Sequence, residues 1–161
     1  PSLGTEILSG LNLFVGAHTT ENTTNSATLD NDIYEGVAGV TYSLGPVSIG
    51  YQQTGHITGE ETRTSAVSHY RGNMYGVSFN INDNLSVSYG HVESRKAGFV
   101  NQSANATAGD ENARRVEASS IQLAYTMGGA SIRLAEVEGT NVGFSSGNNR
   151  DATVVSVSLA F

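Results

Sequence analysis

Cysteine and tryptophan are absent from these 161 residues, and only two prolines and two methionines occur. Without Cys there is neither a disulfide framework nor a thiolate metal site, which is compatible with an oxidising compartment but does not require one. Basic residues are scarce too: eight Lys and Arg against fifteen Asp and Glu leave a formal net charge of −7. Nucleic-acid phosphates are held by clustered cations, so this balance argues against a nucleic-acid partner. No stretch approaches the ~18 apolar residues of a membrane helix, and no helical periodicity competes anywhere. No signal segment is visible, and a chain that begins at Pro1 reads as processed, or as cut from something longer.

What is present is one pattern repeated. Gly39 to Tyr51, Gly76 to Tyr89 and, more loosely, Gln122 to Leu134 each alternate apolar with small polar residues, break at a turn and resume. Alternation with period two is the strand signal, because successive side chains point to opposite faces. The breaks, Gly45-Pro46, Asn82-Asp83-Asn84 and Gly128-Gly129, read as hairpin turns. The whole chain predicts a single all-β domain over 1–161. It is an antiparallel meander of eight strands near 9–18, 32–44, 47–57, 69–81, 85–95, 117–127, 130–140 and 151–161. Connections after the even strands are two or three residues long. Those after the odd strands, such as Thr19–Asn31, Thr58–Ser68, Lys96–Val116 and Asn141–Arg150, are long and polar. Tight turns at one end and long loops at the other are the asymmetry of a transmembrane β-barrel.

Sorting by parity gives two unlike faces. One carries Leu11, Leu13, Val15, Val40, Ile49, Tyr51, Val77, Val87, Ile121 and Leu134, among others, and suits hydrocarbon. The other carries Ser48, Gln52, Ser78, Asn80, Ser86, Ser88, Gln122, Ser131, Arg133, Ser156 and Ser158, the candidate pore lining. Tyr42, Phe79, Tyr125 and Phe161 fall close to the turns and form a candidate aromatic girdle. A mean hydropathy of −0.20 is what such half-polar strands average to. The competing fold is a soluble sandwich whose aromatics pack against a second sheet.

The last strand, Thr153 to Phe161, ends on an aromatic preceded by apolar residues at alternate positions. It resembles the C-terminal signature of Gram-negative outer-membrane proteins. The resemblance implies that Val155, Val157, Leu159 and Phe161 are read by the barrel assembly machinery. The hairpin Tyr75 to Tyr89 resembles those of general diffusion porins, of the alphaproteobacterial and marine type. Such porins have sixteen strands, so the resemblance implies the C-terminal half of one, in a homotrimer surrounded by outer-membrane lipid and lipopolysaccharide. A complete eight-stranded barrel with an adhesive, structural or surface-recognition role through its loops is the alternative. The implied activity is passive diffusion of small hydrophilic solutes, without a cofactor or a catalytic group.

Other chemistry is thinly represented. Asp30 or Asp32 beside His18 is the one arrangement with the flavour of a barrel-protease dyad; no spacing suits zinc. Glu60-Glu61, Asp110-Glu111 and Asp151 read either as a solvated, self-repelling loop surface or as a pore mouth that would favour cations. Arg95, Lys96, Arg114 and Arg115, flanking the longest loop, could hold lipopolysaccharide phosphates or balance those acids. Glu136 is the awkward residue, since by parity with Ile132 and Leu134 it faces lipid. A β-bulge before it or a neighbouring subunit would resolve this, and the second is the expectation.

Overall fold

A computed structural model of the chain describes residues 9–21, 32–59, 67–98 and 114–159. Eight strands follow one another: β1 (Leu11–Thr20), β2 (Ile33–Leu44), β3 (Val47–Ile57), β4 (Val67–Asn80), β5 (Leu85–Gly98), β6 (Arg114–Met127), β7 (Ala130–Thr140) and β8 (Arg150–Leu159). A short 3-10 turn, Val142–Phe144, lies between the last two. All eight form one antiparallel sheet in chain order. The alternating sequence placed each strand. β4, β5 and β6 run two or three residues further towards the loops than the alternation does, because ladder hydrogen bonds continue where the apolar pattern has stopped.

The turns follow from local chemistry. Gly45 and Gly128 have φ of 56° and 59°, and each opens a two-residue hairpin turn in which only the first residue needs a positive φ. Between β4 and β5 the Asn82 side-chain oxygen accepts from the backbone N–H of Asn84 and Leu85, each at 2.9 Å. That Asx turn replaces the glycine used elsewhere.

β1 and β8 are the two edges and do not pair with each other, so the sheet is not closed into a barrel. This departs from the alternative of a complete eight-stranded barrel. Among the described residues no second sheet lies against the first, so the sandwich is not the described arrangement. Among the described residues no apolar side chain is buried. Along β3 and β4 the large residues are exposed, whereas Ser48, Gly50, Gln52, Met74, Gly76 and Ser78 between them are half-buried. A sheet curled towards its small residues has this pattern.

The register adds an inclination that alternation cannot supply. Tyr42 stands on the rung of Ile49 and Val77, and Phe79 lies two residues nearer the turns. Phe79 is level with Val87, and Leu85, opposite Tyr125, lies two nearer still. From β2 to β6 the aromatic position therefore descends one residue per strand. The upper border of the apolar face descends in parallel. Tyr51 and Tyr75 share a rung, Tyr89 and Ile121 the next, Leu134 and Val155 the one after. One residue of ~3.3 Å per strand spacing of ~4.8 Å inclines both lines by about 35° to the rungs. Closed barrels tilt their strands by about 35–45°.

Candidate functional site

The second face, opposite the apolar one, brings the sequence-predicted lining residues together. Ser48, Ser78, Ser88 and Gln122 occupy one rung across β3 to β6. Asn80, Ser86, Arg133 and Ser156 stand on the rung below, and Ser131 faces Ser158 beneath that. Gln52 is higher, opposite Met74, with its amide nitrogen 3.8 Å from the sulfur. Hydroxyls pair across strands, Ser43 with Ser48 at 2.8 Å and Ser131 with Ser158 at 3.1 Å, and Gln122 donates to Ser120 at 3.1 Å. Small hydroxylated residues therefore satisfy one another and leave a shallow, wettable wall.

This face is less uniformly small than the alternation suggests. Phe14 lies across Gly39, where its ring occupies the place a Cβ would take. Its rung continues through Gln52, Met74 and Val92, around a hollow of about 440 Å³. The glycine and the aromatic are a matched pair, each filling what the other leaves. Parity with Leu13 and Val15 turns Phe14 to this face, and what the sequence hides is the glycine it covers.

At the loop end of the same face His18, Glu35, His56, Tyr70 and Lys96 are directly opposite one another across five strands. His56 Nδ1 lies 2.8 Å from Glu35 Oε1, and the Tyr70 ring is 5.9 Å from that of His56. Phe144, from the connection between β7 and β8, reaches over this row, 5.8 Å from Tyr70 and beneath the Lys96 ammonium at 5.3 Å. The connection is built to hold that position. Asn141 and Phe144 adopt left-handed φ of 53° and 59°. The Asn141 side chain donates to the Arg115 carbonyl at 3.0 Å and accepts from Gly147 N–H at 3.0 Å. Val142 packs on Gly139, which has no Cβ to obstruct it. The Asn-rich composition of 141–149 was the available signal, though not for direction.

The apolar face ends in tyrosines and then in charge. Above the band come Gln53, Asn73, His91, Ser119, Glu136 and Thr153 on successive strands, then Glu93 and Glu117, then Arg71, Arg95 and Arg115 on one rung. Tyr51 donates to Asn73 at 3.3 Å and Tyr75 stacks on His91 at 4.9 Å, so these phenols stand at the border. Glu93 pairs with Arg95 at 2.8 Å and Arg115 at 3.5 Å, and Arg115 also reaches Glu117 at 3.1 Å.

Glu136 lies on an unbroken stretch of both its ladders, which removes the bulge invoked for it. The inclined border places it at the top of the band rather than within it, and Thr153 donates to its carboxylate at 2.7 Å. On β3, β5 and β7 alike the apolar border stands four residues above the turn, at Tyr51, Tyr89 and Leu134, so Glu136, six residues above Ala130, lies beyond it.

Of the aromatic positions near the turns, Tyr42, Phe79 and Tyr125 share the apolar face, and Phe161 lies outside the described residues. Val155, Val157 and Leu159 project from that face of β8, each about 60% exposed. His18 has the Thr20 hydroxyl 3.2 Å from its ring nitrogen, and Asp30 is outside the described residues. So are Glu60, Glu61, Asp110 and Glu111. Among the described residues no group of three or more His, Asp or Glu side chains is placed to hold a metal ion. Comparison with protein families, curated proteins and solved structures finds no match to this chain.

Proposed function

We propose that this sheet is part of the wall of an outer-membrane porin, whose water-filled lumen passes small hydrophilic solutes by diffusion. The observation that carries the reading is the inclined apolar band. Its two borders descend together at the slope of a tilted barrel, with aromatics at both.

Energetics support the assignment of lipid to that face. Each large apolar side chain taken out of water is worth about 1.5–3 kcal/mol. More than twenty such residues, from Leu11 to Leu159, are exposed. Leaving them in water would forgo tens of kcal/mol, more than the ~5–15 kcal/mol stability of a typical domain. The open edges at β1 and β8 need further strands, since unpaired N–H and C=O groups in hydrocarbon cost several kcal/mol each. A larger barrel of about sixteen strands, with this chain as one half, supplies them. Lipid and lipopolysaccharide meet the apolar face and its charged rim, Val155 to Phe161 address the assembly machinery, and a homotrimer is the assembled form.

Transport here needs no nucleophile or cofactor. Lumen width excludes large solutes, while hydroxyls such as Ser78 and Ser88 exchange hydrogen bonds with passing water. The test uses the natural lack of cysteine. Ser88→Cys and Val87→Cys, neighbours on opposite faces, are introduced singly into the intact protein in a planar bilayer. A membrane-impermeant thiol reagent should label Ser88→Cys and reduce stepwise conductance, leaving Val87→Cys unreacted. Equal labelling of both, or no conductance from the folded unsubstituted protein, refutes the reading.

A further inference from the structure

The register sorts the chain's charges in a way that its total does not suggest. Within the strands, Glu93, Glu117, Glu136, Glu138 and Asp151 all stand on the apolar-face side, above the band. Arg71, Arg95 and Arg115 share that side, and the last two are paired with Glu93 and Glu117. The second face is the reverse. Lys96, Arg133 and Arg150 stand on it, and the register puts the Arg114 position there as well. Against them the described strands place one carboxylate, Glu35, which is engaged by His56 at 2.8 Å.

Among the described residues no carboxylate is paired with Lys96, Arg133 or Arg150. Lys96 rests on the Phe144 ring, Arg150 donates to the Asn148 side-chain oxygen at 3.5 Å, and Arg133 stands between Ala124 and Ser156. Their spacing is graded, with Arg133 close to the turns and Arg150 and Lys96 towards the loops. The acidic chain, net −7, thus presents a basic wall to its small-residue side.

We infer that this wall selects anions: Arg133, Arg150 and Lys96 form a ladder of fixed positive charge that guides small anionic solutes, such as chloride or carboxylates, along the second face. The inference rests on the pore reading and reverses the cation preference that the acidic loops alone suggest. Carboxylates on the outer side of the wall act through low-dielectric protein and their own arginines, whereas the ladder faces the permeating ion directly. A unit charge ~10 Å from an ion in water changes its local concentration by about twofold, and in opposite directions for anion and cation.

The experiment is the reversal potential of the intact protein in a planar bilayer under a potassium chloride gradient at low ionic strength, where screening is weakest. Arg133→Gln, Arg150→Gln and Lys96→Gln should each lower the chloride-to-potassium permeability ratio by about two- to fourfold, and more when combined. Arg71→Gln and Arg95→Gln, which remove the same charge from the other side, should leave the ratio unchanged. Equal effects from both sets, or none from the second-face set, overturn the inference while leaving a conducting pore intact. Absence of conductance in the unsubstituted protein overturns the pore reading itself, and the inference with it.

Discussion

Ile49 and Ile121 stand on one rung of the sheet, joined through Val77 and Tyr89. If membrane depth followed the rungs, an arginine would cost the same at either position. The inclined band says otherwise. Three strand-to-strand steps separate them, and at one residue per step Ile121 lies about three residues higher, or roughly 8 Å of depth after correcting for tilt. That puts Ile49 inside the band and Ile121 at its upper border, next to Ser119. On the lipid face of a barrel an arginine costs about 2–4 kcal/mol at mid-depth and about 0–1 kcal/mol near the interface. Ile49→Arg should therefore destabilise the intact protein by about 2–4 kcal/mol, and Ile121→Arg by about 1 kcal/mol or less. Urea titration of reversible folding into lipid vesicles, followed by far-UV circular dichroism, measures both. Equal costs for the two substitutions would refute the tilt, and negligible costs for both would refute the lipid-facing assignment.

Two further outcomes follow from close contacts. Gly39→Ala should cost about 1–2 kcal/mol, because the new methyl group meets the Phe14 ring, and Phe14→Ala in the same chain should recover most of it. A double-mutant cycle on thermal stability reads this, and strict additivity would place Phe14 elsewhere. Asn141→Ala removes two side-chain hydrogen bonds and a residue tolerant of φ 53°, so it should cost about 1–2 kcal/mol locally and speed proteolysis within 141–149. Unchanged cleavage would show that the connection is held by other contacts.

Local pattern in the sequence determined which residues share a face, where the turns fall and that eight antiparallel strands result. Each of these depends on a residue and its near neighbours: period two sets direction, and Gly45, Gly128 and the Asn82 side chain set the turns. Depth and charge sorting depend instead on how one strand is aligned with the next, which no single strand encodes. Thus parity placed Glu136 on the apolar face, and the stagger of the band across the sheet is why it stands at the rim beside Thr153 while Ile49, on the same rung, lies inside the band. Parity likewise put Arg133 on the second face and could have put Arg150 and Lys96 there, yet the ladder they make exists only once β5, β7 and β8 are aligned. The seat of Phe14 over Gly39 and the reach of Phe144 to Tyr70 were decided by packing, since each is settled by a partner distant in the chain. The unpaired edges at β1 and β8 belong to the sheet as a whole. Closure depends on strand number and stagger together, and alternation along one strand carries neither.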